Sequence, residues 1–256
     1  MRIQRIWCCA AFITSVLGAP ASAGPLRFGM DLNYPPFSWQ SADGQPQGFD
    51  RDIAYALCKE MKVQCQIIPQ DWDGLIQALN LNKYDAILSS MQITQTRMAS
   101  VDFSHKYYQN SSRMIAAQGS SVTQRSFAHM RIGVLRASTQ AAFAHDYWGR
   151  SGASIVEYDK ITTAFDALRQ HQLQAVFVDN LVGKSTFPHT AQGQGFAFVG
   201  PSYSDPRYFG YGAGIAVNKG NVQLLKKLNQ AIDQLRRDGS YKQIENKYFD
   251  FDIYGK

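Results

Sequence analysis

From Asp85 to Arg97 the chain reads DAILSSMQITQTR, which brings two serines, two threonines and a guanidinium close together. Ala86 to Leu88 are apolar, which predicts a short strand covered on both faces. Ser89 and Ser90 then stand at the carboxyl end of that strand, where open α/β sheets hold their ligands. Thr94 suits an N-cap, so Arg97 falls in the first turn of the next helix. Hydroxyls, free helix-start N–H groups and one guanidinium converging on a point make a cradle for a small anion. A carboxylate matches the planar fork of arginine. Taken alone, Arg97 also reads as an ordinary solvated arginine, and its surroundings must decide.

The elements that position this cradle alternate along the chain. Residues 26–30 predict a first strand that ends in Asp31. The turn Asn33-Tyr34-Pro35-Pro36-Phe37 and a hairpin at Asp43-Gly44 follow. Gly48-Phe49-Asp50 opens a helix over 51–61, a strand covers 63–69, and Trp72 leads a helix carrying Leu75, Ile76 and Leu79. After the cradle, residues 103–108 lead into a strand at 112–117. Further strands are expected at 132–135, 154–158, 175–178 (ending in Asp179), 196–199 and 211–217. Helices are expected at 139–148, 161–171, 181–187, 221–237 and 241–248. This alternation predicts βαβ units and a mostly parallel sheet. Two βα sets of similar size with a C-terminal return predict an α/β protein of two lobes joined by a two-strand hinge. The first lobe takes residues 24–109, the second 110–207, and 208–256 return to the first. Ligands in such folds bind between the lobes.

The N-terminus predicts an exported chain. Arg2 and Arg5 precede a short apolar run, and Ala21-Ser22-Ala23 is an A-x-A cleavage site, so residues 1–23 read as a signal peptide. The run is too short for a membrane span. Cys8 and Cys9 go with the leader, which leaves Cys58 and Cys65; two cysteines in an exported chain suggest one disulfide. Zinc would need more ligands than this pair supplies. The formal net charge of +6 includes both leader arginines, and no Lys/Arg block or basic-aromatic motif points to nucleic acid. No cofactor is implied.

Several stretches together resemble the periplasmic polar amino-acid-binding proteins of ABC importers, in particular the lysine/arginine/ornithine- and histidine-binding group. They are Asp31 to Phe37, Gly48-Phe49-Asp50, Asp71 to Ile76, Asp85 to Arg97, Val101 to Ser104, Gly133-Val134-Leu135, Ser138-Thr139-Gln140 and Tyr248 to Phe251. The resemblance implies a type II periplasmic binding fold, closure of two lobes on a basic L-amino acid, and an inner-membrane permease as partner; a monomer is expected. It further implies a role for each matching residue. Arg97 would grip the ligand carboxylate with Ser90 and Thr139. Asp179 would bind the α-ammonium, with the Ser90 backbone as second acceptor. Tyr34 and Trp72 would sandwich the side chain, and Asp31 would meet a cationic tip. Ser89, Leu135, Ser138 and Gln140 would line the rest.

Three positions depart from the group. Gln92 stands where a serine is usual, Trp72 replaces a smaller phenylalanine, and Ala137 replaces a glycine. The longer Gln92 could fill space, donate to an amide or accept from a guanidinium, which leaves glutamine or an opine-like derivative as an alternative ligand. Asp31 could instead cap the turn after it, and Asp179 the helix after it. Two further classes compete. A cyclohexadienyl dehydratase-like enzyme would need a tuned acid in the cleft, and only Asp31 is a candidate. A sensor would use the same lobes to dock a receptor. The five histidines are scattered, and Gly183-Lys184-Ser185 only echoes a phosphate loop.

Overall fold

The computed structural model describes residues 24–120, 127–188 and 190–255. The expected signal peptide lies outside them. Two five-stranded sheets, each carrying helices, form the two lobes. In the first, β1 (Leu26–Met30) lies between β5 (Cys65–Pro69) and β6 (Ala86–Ile87), parallel to both. Beyond β6 come β13 (Ala213–Asn218) and then β7 (Val101–Tyr108), each antiparallel to its neighbour. The second sheet repeats the plan. β9 (Arg131–Leu135) is flanked in parallel by β10 (Ser154–Tyr158) and β11 (Ala175–Asp179), and β8 (Ser112–Ala117) and β12 (Phe196–Tyr203) add antiparallel strands. A small third sheet pairs β2 (Asn33–Tyr34), β3 (Ser38–Gln40) and β4 (Pro46–Gln47).

The sheets are therefore mixed rather than mostly parallel, and the reason is connectivity. β7 leaves the first sheet and runs into β8 of the second; β12 leaves the second and the chain returns as β13. An outgoing and an incoming strand side by side must run in opposite directions.

Helix starts follow their local chemistry. α1 (Phe49–Glu60) begins two residues earlier than expected, directly after Gly48. Gly48 has φ 116°, and a Cβ there would lie 2.2 Å from the Phe37 carbonyl oxygen, so only glycine lets the turn and the helix meet. Thr94 caps α3 (Gln95–Met98) by accepting from the Arg97 N–H, and Ser138 caps α4 (Thr139–Tyr147) by accepting from Ala141. α5 (Ile161–Arg169) and α8 (Val222–Arg237) turn their apolar stripes inward, the latter burying Leu228, Ala231, Ile232 and Leu235. Gly183-Lys184-Ser185 lies inside α6 (Asn180–Thr186), not in a loop. Cys58 and Cys65 are disulfide-bonded, tying α1 to β5. Phe37 is sealed among Phe49, Tyr108 and Phe249, as a core residue.

Candidate functional site

The strand ends of both sheets open onto one cavity. Twelve side chains line it: Asp31, Tyr34, Trp72, Ser89, Ser90, Gln92 and Arg97 from the first lobe, and Leu135, Ser138, Thr139, Gln140 and Asp179 from the second. Local structure explains how they arrive there. Asp31 directly follows β1, Ser89 and Ser90 follow β6, Leu135 ends β9, and Asp179 ends β11, whose five residues are all buried. Ser138, Thr139 and Gln140 form the start of α4.

Arg97 is the cation of the cavity. Its Nη1 donates to the Gln92 carbonyl at 3.0 Å, and Nη2 reaches across the cleft to the Ala137 carbonyl at 3.4 Å. Ala137 sits at φ 53°, the left-handed region that glycine tolerates more easily. The guanidinium lies 5.1 Å over the Trp72 ring. Trp72 thus pairs with the arginine, and its buried Nε1–H has no acceptor among the described residues. Burial lowers the Arg97 pKa to about 10, opposed by the charge of Asp179.

Asp179 is its counterpart in the second lobe. Its carboxylate accepts from the Tyr34 hydroxyl at 2.5 Å and from Gln140 Nε2 at 3.0 Å. The first of these bonds joins the two lobes. Burial raises Asp179 to about 6, while the Tyr34 and Gln140 bonds and Arg97 pull the other way. Asp179 precedes α6 but makes no side-chain bond to its first turn, so the alternative role as helix cap is not realised. Gln140 is held in turn by Ser112, at 2.8 Å.

Asp31, 4% exposed, accepts from Asn33 Nδ2 at 2.8 Å, while its own N–H donates to the Ser89 hydroxyl at 3.0 Å. It therefore touches the turn after it and still faces the cavity. Burial raises its pKa, against the Asn33 bonds.

Ser90 differs from expectation in what it can offer. Its hydroxyl donates to Asp50 at 2.9 Å, and its N–H donates to the Tyr107 hydroxyl at 2.9 Å. Both donors are engaged within the protein. Tyr107 in turn donates to Asp50 at 2.8 Å. Asp50 is fully buried with no cation beside it among the described residues, and burial raises its pKa to about 7 despite the two hydroxyl donors. This trio holds Ser90 at φ 51°. In the sequence Asp50 reads only as a helix-opening residue, because an acid in a first turn is too common a feature to signal more.

A family model for bacterial extracellular solute-binding proteins, family 3, matches residues 26–251. The chain belongs to that family. An L-arginine-binding protein of Pseudomonas aeruginosa is 45% identical, over 99% of this chain and 99% of its own length. The lysine/arginine/ornithine-binding periplasmic protein of Escherichia coli is 39% identical, over 90% of this chain and 89% of its own. Among solved structures, a Salmonella typhimurium periplasmic binding protein described for high arginine specificity superposes with a TM-score of 0.82 at 32% identity. That match covers 89% of this chain and 100% of the other. Family and relatives are solute-binding proteins, not enzymes.

Proposed function

We propose that this solute-binding protein captures a basic L-amino acid, arginine first, for an ABC importer. The observation that carries the reading is the charge set of the cavity. Arg97 is one fixed cation, and Asp179 and Asp31 are two fixed anions. Arginine, lysine and ornithine present the complement: one carboxylate and two cations. Their binding leaves the closed cavity neutral, whereas glutamine leaves one buried charge unmatched and glutamate two. Unmatched buried charge is costly.

In this reading Arg97 and Thr139 hold the carboxylate, and Asp179 with the Ser90 carbonyl holds the ammonium. Tyr34 and Trp72 flank the alkyl chain, and Asp31 receives its tip. Ser89, Gln92, Leu135, Ser138 and Gln140 complete the wall. The clamp is split between lobes 24–109 with 208–256 and 110–207, so both halves of the ligand are satisfied only on closure about the two connections. Residues 1–23 export the chain to the periplasm, where the closed monomer meets an inner-membrane permease.

Thermal melts of the protein without its leader test this against L-arginine, L-lysine, L-ornithine, L-histidine, L-glutamine, L-glutamate, octopine and prephenate. A ligand at about 100 times its Kd adds roughly 2.7 kcal/mol. Stabilisation by the cationic amino acids is expected. A response to glutamine or octopine alone would remove Asp31 from its role, and a response to prephenate alone would overturn the reading.

A further inference from the structure

Gln92 belongs to two places at once. It lines the cavity, and it packs against the segment that brings the chain back from the second lobe. Its backbone forms an isolated bridge to Ala213. Its neighbours bind the same segment: Ile93 N–H donates to Gly212 at 2.8 Å, Tyr211 N–H to Ile93 at 3.2 Å, and Gly214 N–H to Met91 at 3.0 Å.

The side chain continues this pairing. The outer end of the Gln92 amide lies 3.2 Å from the carbonyl oxygens of both Phe209 and Gly212. Two acceptors fix which amide atom stands there: it is the nitrogen, giving one hydrogen to each. The amide oxygen then turns away from both carbonyls. A serine at this position, shorter by two atoms, reaches neither.

Phe209 and Gly212 are not ordinary partners. Phe209 ends α7 (Pro206–Phe209), and its ring is buried in the second lobe at 5.3 Å from Phe143 and 6.1 Å from Phe177. Just beyond it the backbone turns through Gly210 at φ 67° and Gly212 at φ 100°. A Cβ on Gly210 would lie 2.0 Å from the Ile93 carbonyl oxygen, so this connection presses directly on the Gln92 segment. Two positive-φ glycines around one residue are where a change in lobe angle can be absorbed. Movement of the second lobe is passed through Phe209 to that point.

We infer that Gln92 is a positioning residue that fastens the returning interlobe connection to the wall of the ligand cavity, so that cavity occupancy and lobe angle are coupled through its amide. The inference rests on the amino-acid reading of the cavity for its ligand half, and on the protein alone for its structural half. With a ligand in place, the amide oxygen accepts from a cationic group while the nitrogen holds 209–212. Without the amide, the connection is free to swing on its glycines.

The test is hydrogen exchange, read by NMR at the Tyr211 and Gly214 amides, in wild type, Gln92→Met and Gln92→Ser. Methionine keeps the length and apolar volume of the side chain and removes both donors. In the free protein both variants are expected to exchange about tenfold or more faster at these two amides, as loss of two hydrogen bonds to a local opening predicts, while core strands β1 and β9 are unchanged. Saturating L-arginine is expected to slow the two amides in wild type and to have little effect on them in Gln92→Met. Arginine should also leave the variant faster, by stopped-flow fluorescence. Unchanged exchange at both amides in free Gln92→Met would overturn the inference whichever ligand binds. Failure of wild type to bind any basic amino acid would overturn the reading of the cavity, and the exchange of the free proteins would still decide the role of Gln92.

Discussion

Ligand binding should weaken in acid with a midpoint set by Asp179. The carboxyl is buried, and burial raises it to about 6. An ammonium bound against it needs the ionised form, so capture below that pH must first expel a proton. Arg97 is the other cation that acts on this carboxyl, and it already opposes the upward shift. If the bound carboxylate stays ionised throughout, the apparent Kd scales with one plus the ratio of protonated to ionised Asp179. Relative to pH 8, affinity for L-arginine then falls about twofold at pH 6 and about tenfold at pH 5. Calorimetry in two buffers of different ionisation enthalpy gives a second reading of the same quantity. About half a proton should be released per arginine at pH 6, and nearly one at pH 5. Asp31, also raised by burial, adds to the loss in acid, so Asp31→Asn should lower affinity while keeping the part of the profile that Asp179 sets. A Kd flat from pH 8 to pH 5 with no proton released would refute the reasoning, because Asp179 would then be ionised without its ligand or remote from the ammonium.

Three further outcomes follow from the same structure. Asp50 and Asp179 are both raised above their unfolded values, so each contributes stability that is full below about pH 4 and lost as pH rises through about 6 to 7. The ligand-free protein should melt higher at pH 5 than at pH 8, and Asp50→Asn should remove most of that slope; an unchanged slope would show that Asp50 does not titrate there. Asp31→Asn should cost about 2 kcal/mol of arginine binding, roughly thirtyfold, and leave any glutamine binding within about threefold. Equal loss for both ligands, measured by calorimetry, would separate Asp31 from the cationic tip. Replacing Cys58 and Cys65 by serine opens a loop with a sequence separation of 7, which chain entropy values at about 2.5 kcal/mol. The melting midpoint should drop by several degrees while arginine affinity holds, and a large loss of affinity would mean the bridge shapes the site.

How much of this was legible in the chain depends on the range of the forces involved. Ala86 to Leu88 followed by Ser89 and Ser90, Thr94 as cap of the helix bearing Arg97, and the buried run of β11 ending in Asp179 are all local patterns. Apolar runs place strands, and polar residues at their carboxyl ends face the cleft, so these side chains could be named before any contact was known. What escaped is what only tertiary pairing supplies. The antiparallel half of each sheet comes from strands that cross to the other lobe and return, and no periodicity records that direction. Asp50 reads as a helix-opening acid, yet it lies beneath the cavity wall with Ser90 and Tyr107 as its donors. Tyr34 reads as a flat ring for a ligand side chain, yet its hydroxyl also binds Asp179 across the cleft. That last contact changes the energetics of capture. Under the proposed reading the ligand ammonium shares that carboxylate with the phenol, which already gives it one charge-assisted hydrogen bond. On that reading the affinity measures a difference between two donors rather than the whole strength of a buried ion pair.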